Sequence, residues 1–586
     1  MHTNEETINQ DKINRMKKRV ALASGKHPVS LVLKNCKIIN VFNGKIIQSD
    51  LAIDHGKIIG IGNYEGDTIV DLKGKFVAPG LIDAHMHMES TLVTPDQMAR
   101  IIVPRGTTTV IADPHEIANV SGIPGIEYMI EATSKTQLNG FFMMPSCVPA
   151  TPFENSGHVL KREELSVLKS HLNVLGLGEV MDYVGVINGN LDILEKLEMA
   201  DRMIVDGHGP DLSGKTLNAY MINGIRTDHE CTTLEEMEER IGLGMYVAIR
   251  EGTAAKNLDA LIKGVNVHTK QQCMFCTDDK HPEDILRDGH IDYNVKRAIS
   301  LGIDPITALQ MATINTARCY NLRDIGAIAP GYDADLIVFE DFESFEIVEV
   351  YKKGHLVAKD KKALFETEPI DSSSVRDTVK ISPIRPEQLT LPLLSDIAHV
   401  IRITPGNIVT EHVIRRVYQD EYGNFITNPR LDINKIAVIE RHGKTDNIGL
   451  GLVENFHIMN GAIATTIAHD SHNIIVVGDN DHDMALAVNE LIRTQGGITL
   501  ASKGSVKQTL PLPISGLMSD RSMEEVTETL SELKRLAYEL LSVPTTLEPF
   551  MTLSFLALPV IPELKITDRG FFDVKKFDFI EVSEKA

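Results

Sequence analysis

Between residues 31 and 77 the apolar positions come in short runs broken by turn signals. LVLKNCKIINVFNGKIIQSDLAIDHGKIIGIG carries NG and HG between β-rich pieces, which predicts strands joined by hairpin-type turns. The same texture returns over 325–358, in IGAIAPGYDADLIVFEDFESFEIVEVYKKGHLVA. Between these flanks, apolar runs alternate with helix-like segments. VAPGLIDAH, TTTVIAD, GFFMMPSC, VLGLGEV, MIVDGH, GIRTDHE, MYVAIREG and CMFCTDD are the candidate strands. Eight βα units within about 245 residues is what a closed (β/α)8 barrel needs. After Asp371 the chain turns polar and proline-bearing, in SSSVRDTVKISPIRPEQLTLPLL, which marks a linker. About 190 residues of mixed α and β character follow, and among them EEVTETLSELKRLAYELLS spaces its apolar residues three and four apart, as an amphipathic helix does.

Composition narrows the class of molecule. A chain of 586 residues is too long for one ordinary core. Apolar residues at 43% and charged residues at 24% are usual for a soluble enzyme. The net charge of −22 argues against nonspecific partners among nucleic acids or anionic membranes, which demand a basic surface. A small neutral or cationic substrate fits better. The N-terminal basic cluster Lys17, Lys18 and Arg19 precedes only four apolar residues before Ser24, too few for a signal-peptide core, and no apolar run approaches the ~18 residues of a membrane span. Six cysteines with none after Cys319 do not form a disulfide framework. The expected setting is the reduced cytoplasm.

In (β/α)8 barrels the reacting residues sit at the C-terminal ends of the strands. Six metal-ligand types fall there: His85 and His87 on the first, Glu179 on the fourth, His208 on the fifth, His229 on the sixth and Asp278 on the eighth. Burying so many ionisable groups around one mouth is costly unless a cation compensates. Imidazoles and carboxylates without a compelling thiolate suit Zn²⁺, Mn²⁺ or Fe²⁺. Glu179 is a carboxylate able to bridge, with paired histidines on either side, which predicts two ions that share and activate a water. Asp278 is also placed to move protons off that water. Cys273 and Cys276 make a CxxC without a second one, and are read as two buried strand cysteines.

Three further motifs stay open at this level. ADPHEIANVSG holds Asp113, His115 and Glu116; Asp113 and Glu116 have the spacing of a helix capping box, while His115 is open to a substrate or proton-transfer role. Glu230, beside His229, is either a general acid or a partner that orients a ligand. GPDLSGKT, residues 209–216, matches the phosphate-binding loop pattern of NTPases, but Pro210 removes a backbone N–H and Asp211 brings negative charge to where phosphates would lie. The run AHDSHN, with His469 and His472 and with His482 nearby, is compatible with a third metal site, a pocket lid or a structural loop.

GKFVAPGLIDAHMHMES, preceded by a β-rich segment and answered by IGAIAPGYDADLIVFE, resembles the amidohydrolase superfamily of metal-dependent hydrolases. Within it, HMHMES, DPHE, GLGEVMDY, GHGPDLSGKTLNAY, TDHE and CTDD, with RHGKTDNIGLGLVENF, GAIATTIAHDSHNIIVVGDND and LPVIPELKITDRGFFDV in the C-terminal region, are similar to the adenine deaminase family. The resemblance implies an α/β fold: an N-terminal extension over 1–28, a composite β-sandwich from 29–75 and 322–370, a TIM-like metal-binding (β/α)8 barrel over 76–321, and an additional C-terminal α+β domain over 380–586. It implies hydrolysis of adenine to hypoxanthine and ammonia in purine salvage, by a hydroxide activated on two divalent ions, Mn²⁺ or Fe²⁺ ahead of Zn²⁺, in a homo-oligomer (dimer or larger). Another amidohydrolase reaction, such as cyclic amide hydrolysis or deamination of another nucleobase, remains an alternative. By this likeness His85, His87, Glu179, His208, His229 and Asp278 are the ligands. Glu116 and Glu230 compete as the acid, Asp278 accepts the water's proton, and Glu89, Asp113 and His115 hold the ring nitrogens. Ser90 begins the loop that leaves the barrel.

Overall fold

The computed structural model describes residues 2–253, 255–428 and 430–585. The part that positions the site is built from eight parallel strands: β1 (Leu81–Met86), β2 (Thr107–Ala112), β3 (Asn139–Met144), β4 (Val174–Val180), β5 (Ile204–Gly207), β6 (Thr227–Asp228), β7 (Tyr246–Arg250) and β8 (Cys273–Cys276). They pair as a five-stranded sheet, β5-β4-β3-β2-β1, and a three-stranded sheet, β6-β7-β8. Both seams between the sheets carry backbone hydrogen bonds: Arg226 N–H donates to Val205 O at 3.2 Å, and Asp278 N–H donates to His85 O at 3.0 Å. Every residue of β1, β2 and β8 is buried, as near-continuous apolar runs of parallel strands require. Besides His85, Asp83 is the polar exception in β1. It accepts the Thr277 hydroxyl at 2.6 Å, and burial pushes its carboxyl up to about 7.

The run VAPGLIDAH divides between two sheets. Phe76–Pro79 pairs antiparallel with Leu336–Phe339 and parallel with Lys37 and Ile38, whereas Leu81 onward is β1. Gly80 is the pivot, and a Cβ there would lie 2.1 Å from Thr108 Oγ1. The two β-rich flanks thus meet in one nine-stranded sheet, with Phe76–Pro79 included. The helix His2–Ala23 precedes it, and Leu22 packs with Val29, Val32, Ala52 and Ile59 of that sheet.

Beyond the linker an eight-stranded sheet runs from Ile397 to Pro511. The amphipathic helix forms over Met523–Leu541, with Ser522 and Glu525 in a reciprocal capping box. Its stripe Val526, Leu530, Leu533, Ala537 and Leu541 is buried. This region packs directly on the helices and loops that follow β1, β2 and β3: Thr94 N–H donates to Ser519 O at 3.1 Å, the Ser121 and Ser515 hydroxyls meet at 2.8 Å, and Asn473 Nδ2 donates to Asn155 O at 2.8 Å. One buried apolar cluster includes Leu81 and Met86 as well as Ile436, Leu500 and Leu530. All six cysteines are buried and free. Among the described residues no helix is long and apolar enough to cross a membrane.

Candidate active site

Parallel strands present their C-terminal ends at one mouth, and the six expected ligand residues converge there. Glu179, at the end of β4, organises them. Its Oε1 lies 3.3 Å from His87 Nε2 and 3.8 Å from His85 Nε2, while its Oε2 lies 2.8 Å from His208 Nδ1 and 3.2 Å from His229 Nε2. One carboxylate therefore meets His85 and His87 with one oxygen and His208 and His229 with the other, while the His85 and His229 rings stack with centroids 4.1 Å apart. Asp278 Oδ1 closes the first pair, at 3.1 Å from His87 Nε2 and 3.5 Å from His85 Nε2. Asp278 adopts a left-handed backbone (φ 57°), a conformation a non-glycine residue holds at a cost and which gathers at functional sites.

These donors suit a cation. His87 Nδ1–H donates to Asp113 O at 3.0 Å, which leaves the Nε2 lone pair pointing at Glu179 and Asp278, the tautomer a metal ligand needs. His85 Nε2 is buried with no hydrogen-bond partner among the described residues. Burial opposes ionisation of Glu179, yet its contacts with His208, His229 and His87 win and hold its carboxyl well below the usual range. No thiolate competes. Cys273 and Cys276 lie buried on β8, and burial pushes the Cys273 thiol up to about 12.

The neighbouring groups are distributed differently from the sequence-based expectation. Asp113 and Glu116 do not form a capping box: the helix His115–Ser134 has no side-chain cap. Asp113 Oδ2 instead accepts the Glu179 N–H at 2.9 Å, and Glu116 turns to His469, at 3.3 Å. His115 Nδ1 sits 3.5 Å from Glu179 Oε1, inside the ligand cluster. Glu89 Oε1 accepts the Ile117 N–H at 3.1 Å. Burial, and then repulsion from Glu116, pushes the Glu89 carboxyl up to about 7, whereas contact with His469 overcomes burial and draws Glu116 down. A narrow cavity runs past them, walled by Glu89, Glu116 and Asp279 on one side and by His469, Met551 and Phe555 on the other. Ser90 Oγ donates to Asp279 Oδ1 at 2.5 Å.

Glu230 is clamped by Arg250, whose Nη1 also donates to Asp278 Oδ2 at 2.8 Å. Sequence reasoning passed over Arg250 because arginine is not a metal ligand, although it ends β7, where functional residues gather. It also passed over Asp470, whose Oδ1 stands 3.9 Å from His115 Nε2, although Asp470 lies between His469 and His472 in the run already singled out. His482 points away into solvent, with 69% of its side chain exposed. The NTPase-like loop forms no phosphate cradle, because the Gly214 N–H at the start of its helix donates to Glu239 Oε1 at 2.7 Å.

Residues 76–357 match the amidohydrolase family, and residues 407–578 match the adenine deaminase C-terminal domain. An adenine deaminase of Clostridium acetobutylicum is 52% identical over 568 residues, covering 96% of this chain and 100% of that one. The chain belongs to the adenine deaminase family. Another family member, the adenine deaminase of Nitratidesulfovibrio vulgaris strain DP4, is 49% identical over 96% of this chain and 98% of its own. Among solved structures, the beta-aspartyl dipeptidase of Fervidobacterium islandicum AW-1 is 19% identical, covering 59% of this chain and 99% of that chain, with a TM-score of 0.43.

Proposed function

We propose that this adenine deaminase hydrolyses adenine to hypoxanthine and ammonia, serving purine salvage, with two divalent cations held in the cluster centred on Glu179. The observation that carries the reading is the division of four imidazoles between the two oxygens of that one carboxylate. In this reading His85, His87 and Asp278 would hold one ion and His208 and His229 the other, with Glu179 available to both. Bound there, the ions would lower the pKa of a water towards neutrality and supply the nucleophile. Imidazole and carboxylate donors favour Mn²⁺ or Fe²⁺, with Zn²⁺ also accommodated. The hydrogen bonds at both strand seams support a closed (β/α)8 barrel over 76–321. The shared nine-stranded sheet supports a composite β-sandwich from the flanks, and the sheet beyond the linker supports a separate C-terminal α+β domain over 380–586.

The chain's own groups then divide the proton work. Arg250 occupies Asp278 Oδ2, and Oδ1, which faces His87 and His85, is the oxygen that would accept a proton from the attacking water. Burial, and then repulsion from Glu116, raises the Glu89 carboxyl to about 7, whereas contact with His469 keeps Glu116 ionised. Side by side on the cavity wall they present a donor and an acceptor, which matches the alternating ring nitrogen and N–H of a purine edge. Glu116 would take one proton of the attacking water and pass it to the ring nitrogen, while Asp278 would pass the other to the leaving amine, so that both protons of the water end on the products. The Arg250 clamp on Glu230 favours a positioning role for Glu230 over that of the acid. His115 and Asp113 steady the cluster from the side of β2. Incubating Mn²⁺-loaded protein with adenine tests the reading. Conversion to hypoxanthine in the ultraviolet with one equivalent of ammonia is expected, and no conversion with manganese, iron or zinc supplied would refute it.

A further inference from the structure

The C-terminal region places a short polar segment against the mouth that the chemistry above leaves without a task. His469, Asp470, Ser471 and His472 are all buried, at 7%, 3%, 2% and 0% exposure. His469 Nδ1 lies 3.3 Å from Glu116 Oε1, and its ring stacks on Phe555 with centroids 4.4 Å apart. Ligand-type atoms of Glu116, His469 and His472 fall within 4.8 Å of one another.

Two imidazoles around a carboxylate admit two readings, a third metal site or a hydrogen-bonded cluster. The Ala468 N–H donates to His472 Nδ1 at 3.3 Å, and burial keeps that ring uncharged by drawing it down to about 3. A neutral imidazole that accepts at Nδ1 carries its hydrogen on Nε2. That nitrogen has no hydrogen-bond partner among the described residues and no lone pair for an ion. Glu116 is therefore met from the C-terminal region by the His469 imidazole, whose ring is fixed by stacking on Phe555.

We propose that His469 is the positioning residue for Glu116: it engages Oε1, leaves the other carboxylate oxygen for the purine, and thereby makes the C-terminal region a working wall of the deaminase site. This rests on the assignment of Glu116 as the proton shuttle. Glu116 can approach the substrate correctly only while an N–H from another part of the fold fixes its orientation, and misplacement of such a group by ~1 Å costs on the order of 100-fold in rate.

Metal-loaded full-length variants test this. His469→Ala is expected to lower kcat about 100-fold, with KM changed less than about threefold and the metal content of the wild type retained. His469→Asn, whose side-chain amide N–H takes the place of Nδ1–H, is expected to recover at least about tenfold of that loss, which a merely structural role would not produce. In the double variant with Glu116→Gln, the His469→Ala loss should largely vanish, because the two act as a unit. His482→Ala, on the exposed histidine of the same region, serves as the control at wild-type rate. If His469→Ala does not fold, His469→Gln, which keeps a polar group but displaces the donor, should show the same drop in kcat. The proposal is overturned by a kcat within about threefold of wild type for His469→Ala or, where that does not fold, for His469→Gln, by additive losses in the double variant, or by a wild type that binds three ions and loses one with His469→Asn. A wild type that releases no ammonia from adenine would instead refute the underlying reading of the function.

Discussion

At the scale of single residues, Glu179 has two jobs that one substitution removes together. Glu179→Ala takes an oxygen from each imidazole pair and leaves the four histidines only Asp278 and Glu230 as neighbouring carboxylates. Bound metal, measured by elemental analysis, is expected to fall from two ions per chain to one or none, with turnover down by roughly a thousandfold or more. Glu116 and Glu230 separate by environment. Glu116→Gln is expected to cost about 10²–10⁴ in kcat with metal retained, whereas Glu230→Gln, which disturbs the Arg250 clamp and the contacts with His208 and His229, should cost about tenfold or more in metal affinity with a smaller change in kcat. Single-turnover rates beside metal analysis distinguish the two. The histidines and acids on the barrel strands were legible in the sequence because strand-end position predicts a shared mouth. The partners of Glu116 were not, since its capping-box spacing with Asp113 describes local structure as well, and only the folded chain brings His469 across 353 residues to face it.

At the scale of elements, strand ends and helix walls do the positioning. The run VAPGLIDAH read as one strand because its apolar character is continuous, and Gly80 divides it only because Thr108 leaves no room for a Cβ, a contact invisible to periodicity. The helix Met523–Leu541 was legible, since its stripe and its Ser522–Glu525 cap are local features. On the cavity wall, the helix Pro549–Phe555 is tied by Lys565, whose fully buried Nζ donates to Phe555 O at 3.1 Å and Ile408 O at 2.9 Å. Burial draws that ammonium down from 10.5 to about 7. The folded state then binds fewer protons than the unfolded chain between about pH 7 and pH 10.5, so this group's penalty is full below pH 7 and fades as pH rises through that window. Comparing melting temperatures of wild type and Lys565→Met at pH 7 and pH 10 should show the difference moving in favour of the wild type at the higher pH. A difference independent of pH would contradict the assigned burial cost.

At the scale of the whole molecule, the C-terminal region is part of the same packed body as the strands that bear the site. The apolar cluster that includes Leu81 and Met86 also includes Leu530 and Leu500, and Asn155 N–H donates to Asp568 Oδ1 at 2.9 Å. Calorimetry should therefore record the barrel strands and the C-terminal sheet unfolding in one cooperative transition; two separated transitions would contradict that coupling. The polar linker after Asp371 was legible as a change of texture, but a texture change cannot report that the segment beyond it returns to the active-site mouth. The central claim is that adenine deamination here depends on two cations shared by Glu179. Its most direct measurement is a titration of chelator-stripped protein with Mn²⁺, following hypoxanthine and ammonia from adenine at each step. The account predicts equal yields of the two products, with activity rising to a plateau at two ions per chain. Full activity at one ion or none, or no hypoxanthine at any loading, would contradict it.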